Sequence, residues 1–147
     1  MILLAEVAIT VKRPINTFFE YVTNMENYGE WFPGVISIAS HNELPHGMTG
    51  KTYQEVIVMP EGEATLVIEV KKSRLNQDFY TEGDLLPLLP AMLMEFNAET
   101  PKSTRFNLKY FSRSDILDSN SDVIKEMKLN LGGRISIAVD NLQRRFS

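Results

Sequence analysis

Six stretches rich in β-branched and aromatic residues follow one another between Val35 and Phe111, with only short turns between them. They run Val35–Ser40, Lys51–Met59, Ala64–Lys72, Leu75–Glu82, Ala91–Glu99 and Thr104–Phe111. The separators carry turn residues: Pro45-His46-Gly47, Pro60-Glu61-Gly62, Gly83-Asp84 and the segment from Thr100 to Ser103. A parallel crossover needs about a dozen residues or more, so most of these strands must be antiparallel neighbours in a meander. One more strand precedes them. In Glu6–Lys12 the residues Val7, Ile9 and Val11 alternate with Glu6, Ala8, Thr10 and Lys12, the period of a half-buried strand. The Val35 strand is free to reach an edge beside this N-terminal strand.

A sheet of this kind cannot cover its own apolar face, so something else in the chain must. The only long helical pattern is C-terminal. Ser121 or Asp122 can cap it, and from Val123 onward Met127, Leu131, Ile135, Ala138 and Leu142 share a face, with Lys125, Lys128, Arg134 and Gln143 away from it. Gly132-Gly133 in its middle should weaken or bend it, each glycine costing about 1 kcal/mol relative to alanine. These glycines read equally as a hinge or as a close helix–sheet approach. Two shorter helices are predicted after the first strand. Pro14 opens the first, with Phe18, Phe19 and Val22 as its buried stripe, and the second runs from Glu26 to Trp31. The expected architecture is α+β: a curved antiparallel seven-stranded sheet around a long C-terminal helix, with two short helices after strand 1.

Composition narrows the function. At 147 residues with 44% hydrophobic and 23% charged, the chain has the size and core content of one folded domain, residues 1–147. It has no cysteine, which excludes disulfides, thiolate nucleophiles and cysteine zinc sites. The net charge of -4 and the absence of a basic stripe argue against nucleic acid as a partner. The apolar start Met1–Ala5 is interrupted by Glu6, and no apolar run approaches the roughly 20 residues of a spanning helix, so no stable membrane insertion is expected. The expected location is the cytoplasm. His41 and His46 lie in a turn region without metal-ligand spacing and are expected to be exposed; no metal or cofactor is expected. Nothing in the sequence sets the assembly state.

Several stretches together resemble the START-like (SRPBCC) superfamily, especially its polyketide cyclase/dehydrase-like branch. They are Ile9 to Pro14, then Phe18 to Val22, Asn24 to Asn27, and Trp31-Phe32-Pro33-Gly34-Val35. Lesser matches are Gly50 to Tyr53, Thr104-Arg105 and Asn141-Leu142. The resemblance implies a helix-grip fold, with the sheet gripping the C-terminal helix around a cavity for a hydrophobic small molecule such as a lipid or polyketide. Some members of the family close aromatic rings, and others assist a client protein.

Given such a cavity, alternation selects its wall. Met92, Met94, Phe96 and Ala98 share one face of a strand, Thr104, Phe106, Leu108 and Tyr110 one face of the next, and Met127, Leu131 and Ile135 stand opposite. The seven methionines suit an adaptable lining. The resemblance points Tyr53 inward, and Glu55 shares its face. Glu55 is then either a solvated edge charge, the plainer expectation, or a cavity carboxylate whose pKa burial raises. Glu69 and Glu95 fall on the outer face. Arg105 should also face out and pair with Glu95; it is kept as a minor anchor for a ligand carboxylate. Trp31 is a seal for the small-helix end or a ligand lid. The leading functional expectation is a non-catalytic binder of a hydrophobic small molecule. The alternative is a cyclase/dehydratase-type enzyme drawing on Tyr53, Glu55, Tyr80 and Tyr110. A second alternative is a protein-contact module using the segment from Leu85 to Pro90, which can equally be a cavity lid.

Overall fold

The computed structural model describes residues 1–147. Seven strands form one antiparallel sheet: β1 (Ile2–Val11), β2 (Val35–Ser40), β3 (Thr52–Met59), β4 (Gly62–Arg74), β5 (Asp78–Gly83), β6 (Pro90–Thr100) and β7 (Ser103–Ser112). Their order across the sheet is β1-β7-β6-β5-β4-β3-β2. The meander from β2 to β7 is thus unbroken, and β1 closes it by pairing with β7 from Ile2 opposite Ser112 to Val11 opposite Thr104. Register shifts at Leu3/Ala5, Val35/Ser37 and Val70/Lys72 bend the sheet where an extra residue increases the local twist.

Strand β1 runs farther than the Glu6–Lys12 alternation suggested and takes in the apolar start of the chain. The Val35 strand does lie at an edge, but at the one opposite β1, paired with β3. The two short helices carry the chain from one edge of the sheet to the other. Helix α1 (Ile15–Thr23) begins after Pro14 and buries Phe18, Phe19 and Val22. Asn24 ends it, and its side chain accepts a hydrogen bond from the Glu26 amide at 3.0 Å, starting a 3-10 turn over Met25–Asn27. The single-turn helix α2 (Tyr28–Trp31) follows.

Helix α3 (Asp122–Arg145) is continuous through Gly132-Gly133, and both glycines face outward with open space where a Cβ would stand. Close approach to the sheet is therefore not their role. The buried face includes Met127, Leu131, Ile135, Ala138 and Leu142 as expected, with Ile124 and Val139 added. The helix lies against β1. Asn141 and Gln143 fix that side by donating to the carbonyls of Trp31 and Thr10. On the other side Arg134, expected to point away, reaches across and donates to the Val58 carbonyl of β3. Gly34 makes room for this: a Cβ there would stand 2.6 Å from the Arg134 guanidinium, and its φ of +90° disfavours any other residue.

Candidate ligand cavity

The concave face of the sheet is filled at one end and hollow at the other. At the filled end, rings from α1 and the C-terminus pack edge-to-face on β6 and β7. Phe18 stands 5.1 Å from Phe106 and 5.5 Å from Phe146, and Phe19 stands 4.9 Å from Phe96. At the other end, over β3, β4 and β5, the rings of Tyr28 and Phe32 line the space without filling it. A cavity of about 80 Å³ remains, and 16 of its 20 lining residues are hydrophobic. On that scale a single water needs about 10–15 Å³, so the space admits a small organic group.

Alternation places the wall. On β3 the lining residues are Glu55, Ile57 and Met59, and on β4 Leu66 and Ile68. Thr81 and Gly83 follow on β5, Ala91 and Met92 on β6, and Tyr110 on β7. Met127 and Leu131 close it from α3, and Tyr28 and Phe32 from the α2 region. A second recess of about 230 Å³ shares Met59, Leu85, Leu88 and Met127 with the cavity. It lies between the β3–β4 turn, the β5–β6 connection and the start of α3, bordering the cavity.

Four polar side chains sit inside this apolar wall: Glu55, Tyr28, Tyr110 and Thr81. Glu55 is 3% exposed, and its Oε2 is buried without a hydrogen-bond partner. Burial pushes its carboxyl from 4.5 up to about 7, with the Arg134 charge opposing. The Tyr28 and Tyr110 hydroxyls, both buried, lie 2.6 Å apart in a hydrogen bond. Both are shifted upward chiefly by burial, and the negative charge of Glu55 adds to each shift. Glu55 and the two tyrosines therefore act on one another inside the cavity.

Glu55 thus departs from the plainer expectation of a solvated edge charge. The reason is topological: β2 pairs beyond β3, so β3 is not an edge, and residues of α3 and the α2 region stand over its inward face. Of the other residues selected from sequence, Met92, Tyr110, Met127 and Leu131 line the cavity. Met94, Phe96, Phe106, Leu108 and Ile135 share the concave face but are packed into the core beside it. Trp31 is a core residue stacked edge-on against Tyr28 rather than a lid over the hollow.

Tyr80 lies on the opposite face of β5 from Phe79 and Thr81, where its hydroxyl donates to Glu82 at 2.9 Å. With Phe79 and Tyr80 adjacent, aromatic content alone could not tell which one turns inward. Tyr53 is buried but points toward the 3-10 turn, not into the hollow. Its hydroxyl meets His46 Nδ1 at 2.6 Å, and His46 Nε2 is 3.4 Å from Glu26. His46 is therefore exposed as expected but not isolated. Arg105 faces out yet stands opposite Asn97, and Glu95 instead pairs with Lys109 at 3.2 Å.

Sequence reasoning passed over Tyr28, Arg134, Ile57, Met59, Leu66 and Ile68. The last four were within reach, since extending the Tyr53–Glu55 face along β3 and across to β4 finds them. Tyr28 carried no such signal, because one turn of helix has no period to read. The segment from Leu85 to Pro90 turns Leu85 and Leu88 inward and exposes Leu86 and Pro87.

Seven antiparallel strands curved over one long C-terminal helix define the START-like helix-grip class, and the chain has that fold. No family model and no curated protein matches its sequence. The likeness appears among solved structures. A START superfamily protein from Mycobacterium smegmatis superposes with a TM-score of 0.76 at 12% identity, over 99% of each chain. The fold is also that of polyketide cyclases. The Zhui aromatase/cyclase from Streptomyces sp. R1128 gives 0.74 at 13% identity, over 96% of this chain and 91% of that one. The di-domain aromatase/cyclase BexL from the BE-7585A biosynthetic pathway gives 0.71 at 10% identity, and the match spans 95% of this chain but 45% of BexL. At such identities the likeness concerns the fold. No helix is long and apolar enough to cross a membrane.

Proposed function

We propose that the protein binds a hydrophobic small molecule in the hollow between β3–β6 and α3. The observation that carries this reading is the contrast between the two ends of one concave face. Where phenylalanines fill the first, the second keeps an apolar cavity bordered by a second recess at Leu88 and Met127. Apolar burial supplies affinity in such a site, and a few polar groups set orientation. The likeness to START-superfamily and aromatase/cyclase structures supports a ligand of the lipid or polyketide kind.

Native mass spectrometry of the protein purified from its source tests this, with a retained hydrophobic compound as the expected result. Ala91→Trp, which fills the cavity from β6, should abolish retention while leaving the fold intact by circular dichroism. Equal retention by that variant counts against the cavity as the site.

One observation favours a second reading, a cyclase/dehydratase-type enzyme. A carboxyl held near 7 in the same cavity as two tyrosine hydroxyls is suited to general acid–base work at neutral pH. Turnover of a poly-β-ketone substrate that Glu55→Gln abolishes would favour catalysis over simple binding. The protein-contact reading has less support, because Leu86 and Pro87 are the only exposed residues of its segment.

A further inference from the structure

We infer that the polar end of the ligand is a hydroxyl group, seated between Glu55 and the Tyr28–Tyr110 pair. This rests on the binding reading above and deepens it by naming the ligand's chemical class: an apolar body with one hydroxyl, phenolic or aliphatic.

Two tyrosine hydroxyls carry two protons between them. The 2.6 Å contact between them uses one, which leaves the other to find an acceptor in a cavity whose only further polar side chains are Glu55 and Thr81. Glu55 Oε2 is the converse, a buried oxygen with no partner. Arg134 does not satisfy it, since its guanidinium is turned to the Val58 carbonyl. An unpartnered buried polar group is costly, about 1–3 kcal/mol, so a ligand that completes these bonds is favoured over one that does not.

A hydroxyl has both functions at one atom that stays neutral at pH 7.5. It donates to the Glu55 carboxylate and accepts the spare tyrosine proton. If Glu55 is protonated, the same oxygen can accept from it instead. An ammonium has no lone pair for the tyrosine. An ether has no proton for the carboxylate. A ligand carboxylate would add a second negative charge beside Glu55, and like charges in an apolar site resist ionisation together.

Isothermal titration calorimetry of the unmodified protein at pH 7.5 tests this with probes of matched shape. They are 4-ethylphenol, 4-ethylbenzyl alcohol, 4-ethyltoluene, 4-ethylanisole and 4-ethylbenzylamine. The phenol or the alcohol should bind about tenfold or more tighter than the toluene and the anisole, the scale of one buried hydrogen bond. Which of those two binds tighter separates a phenolic from an aliphatic ligand. In Glu55→Leu the preference should shrink below about threefold, with 4-ethyltoluene binding no weaker than before. Tyr28→Phe/Tyr110→Phe should narrow it as well. If 4-ethyltoluene or 4-ethylanisole binds the unmodified protein as tightly as the phenol, or if the amine binds tightest, the hydroxyl assignment is overturned while the apolar cavity stands. If none of the five binds, the binding reading itself fails, and the hydroxyl with it.

Discussion

Replacing Glu55 by glutamine should flatten the pH dependence of folding stability. In the folded protein burial raises this carboxyl to about 7, against an ordinary value of 4.5. Between those two values the folded state holds a proton that the unfolded chain has released, so stability falls as pH rises. Below 4.5 both states are protonated and the full stability is present; above about 7 both are ionised and the loss is complete. About two and a half pH units at about 1.4 kcal/mol each make roughly 3 kcal/mol. Glutamine fills nearly the same volume and does not titrate. Urea denaturation of both proteins from pH 4 to 8.5 measures the difference, in which every other titrating group cancels. The unmodified protein should lose roughly 3 kcal/mol relative to the variant, with the change centred between pH 5 and 7. Parallel curves across that range would refute the burial of an unpartnered carboxyl.

Four further outcomes follow from the same structure. Tyr28→Phe and Tyr110→Phe each strand the other hydroxyl and should cost about 1–3 kcal/mol in urea denaturation, while the double variant costs less than the two added. Arg134→Met removes the charge that opposes the shift at Glu55, so the carboxyl midpoint in a ¹³C NMR titration should move above about 7. Gly34→Ala must strain a φ of +90° and displace the guanidinium 2.6 Å away, so thermal denaturation should show a loss of about 1–3 kcal/mol. Gly132→Ala and Gly133→Ala point into open space from the middle of α3 and should each add about 1 kcal/mol, read by the same denaturation.

The sheet was legible because its signals are local. Alternation in β1, β6 and β7 and the turn residues between strands are decided by a few neighbouring residues, and all seven strands lie where those patterns run. The buried stripe of α3 followed from its period in the same way. Edge assignment did not follow, because the destination of β2 depends on how far α1 and α2 carry the chain across the sheet. That one unknown also concealed Glu55, which is buried because β2 takes the edge position and α2 and α3 stand over the inward face of β3. The split between packed core and hollow was illegible for a related reason. Phe96 and Met92 face the same way on β6, and only the descent of α1 onto Phe96 makes one a core residue and the other a cavity wall.

The phenylalanines at one end of the sheet and the open space at the other divide the molecule into a part that holds and a part that fits. Ring packing between α1, β6, β7 and the C-terminal residues anchors the fold at a distance from the residues that would meet a guest. Changes at Ile57, Leu66 or Met92 can therefore recut the shape of the hollow while the Phe18 cluster goes on holding the sheet closed. Such a scaffold is free to exchange one guest for another without first having to survive a damaged core.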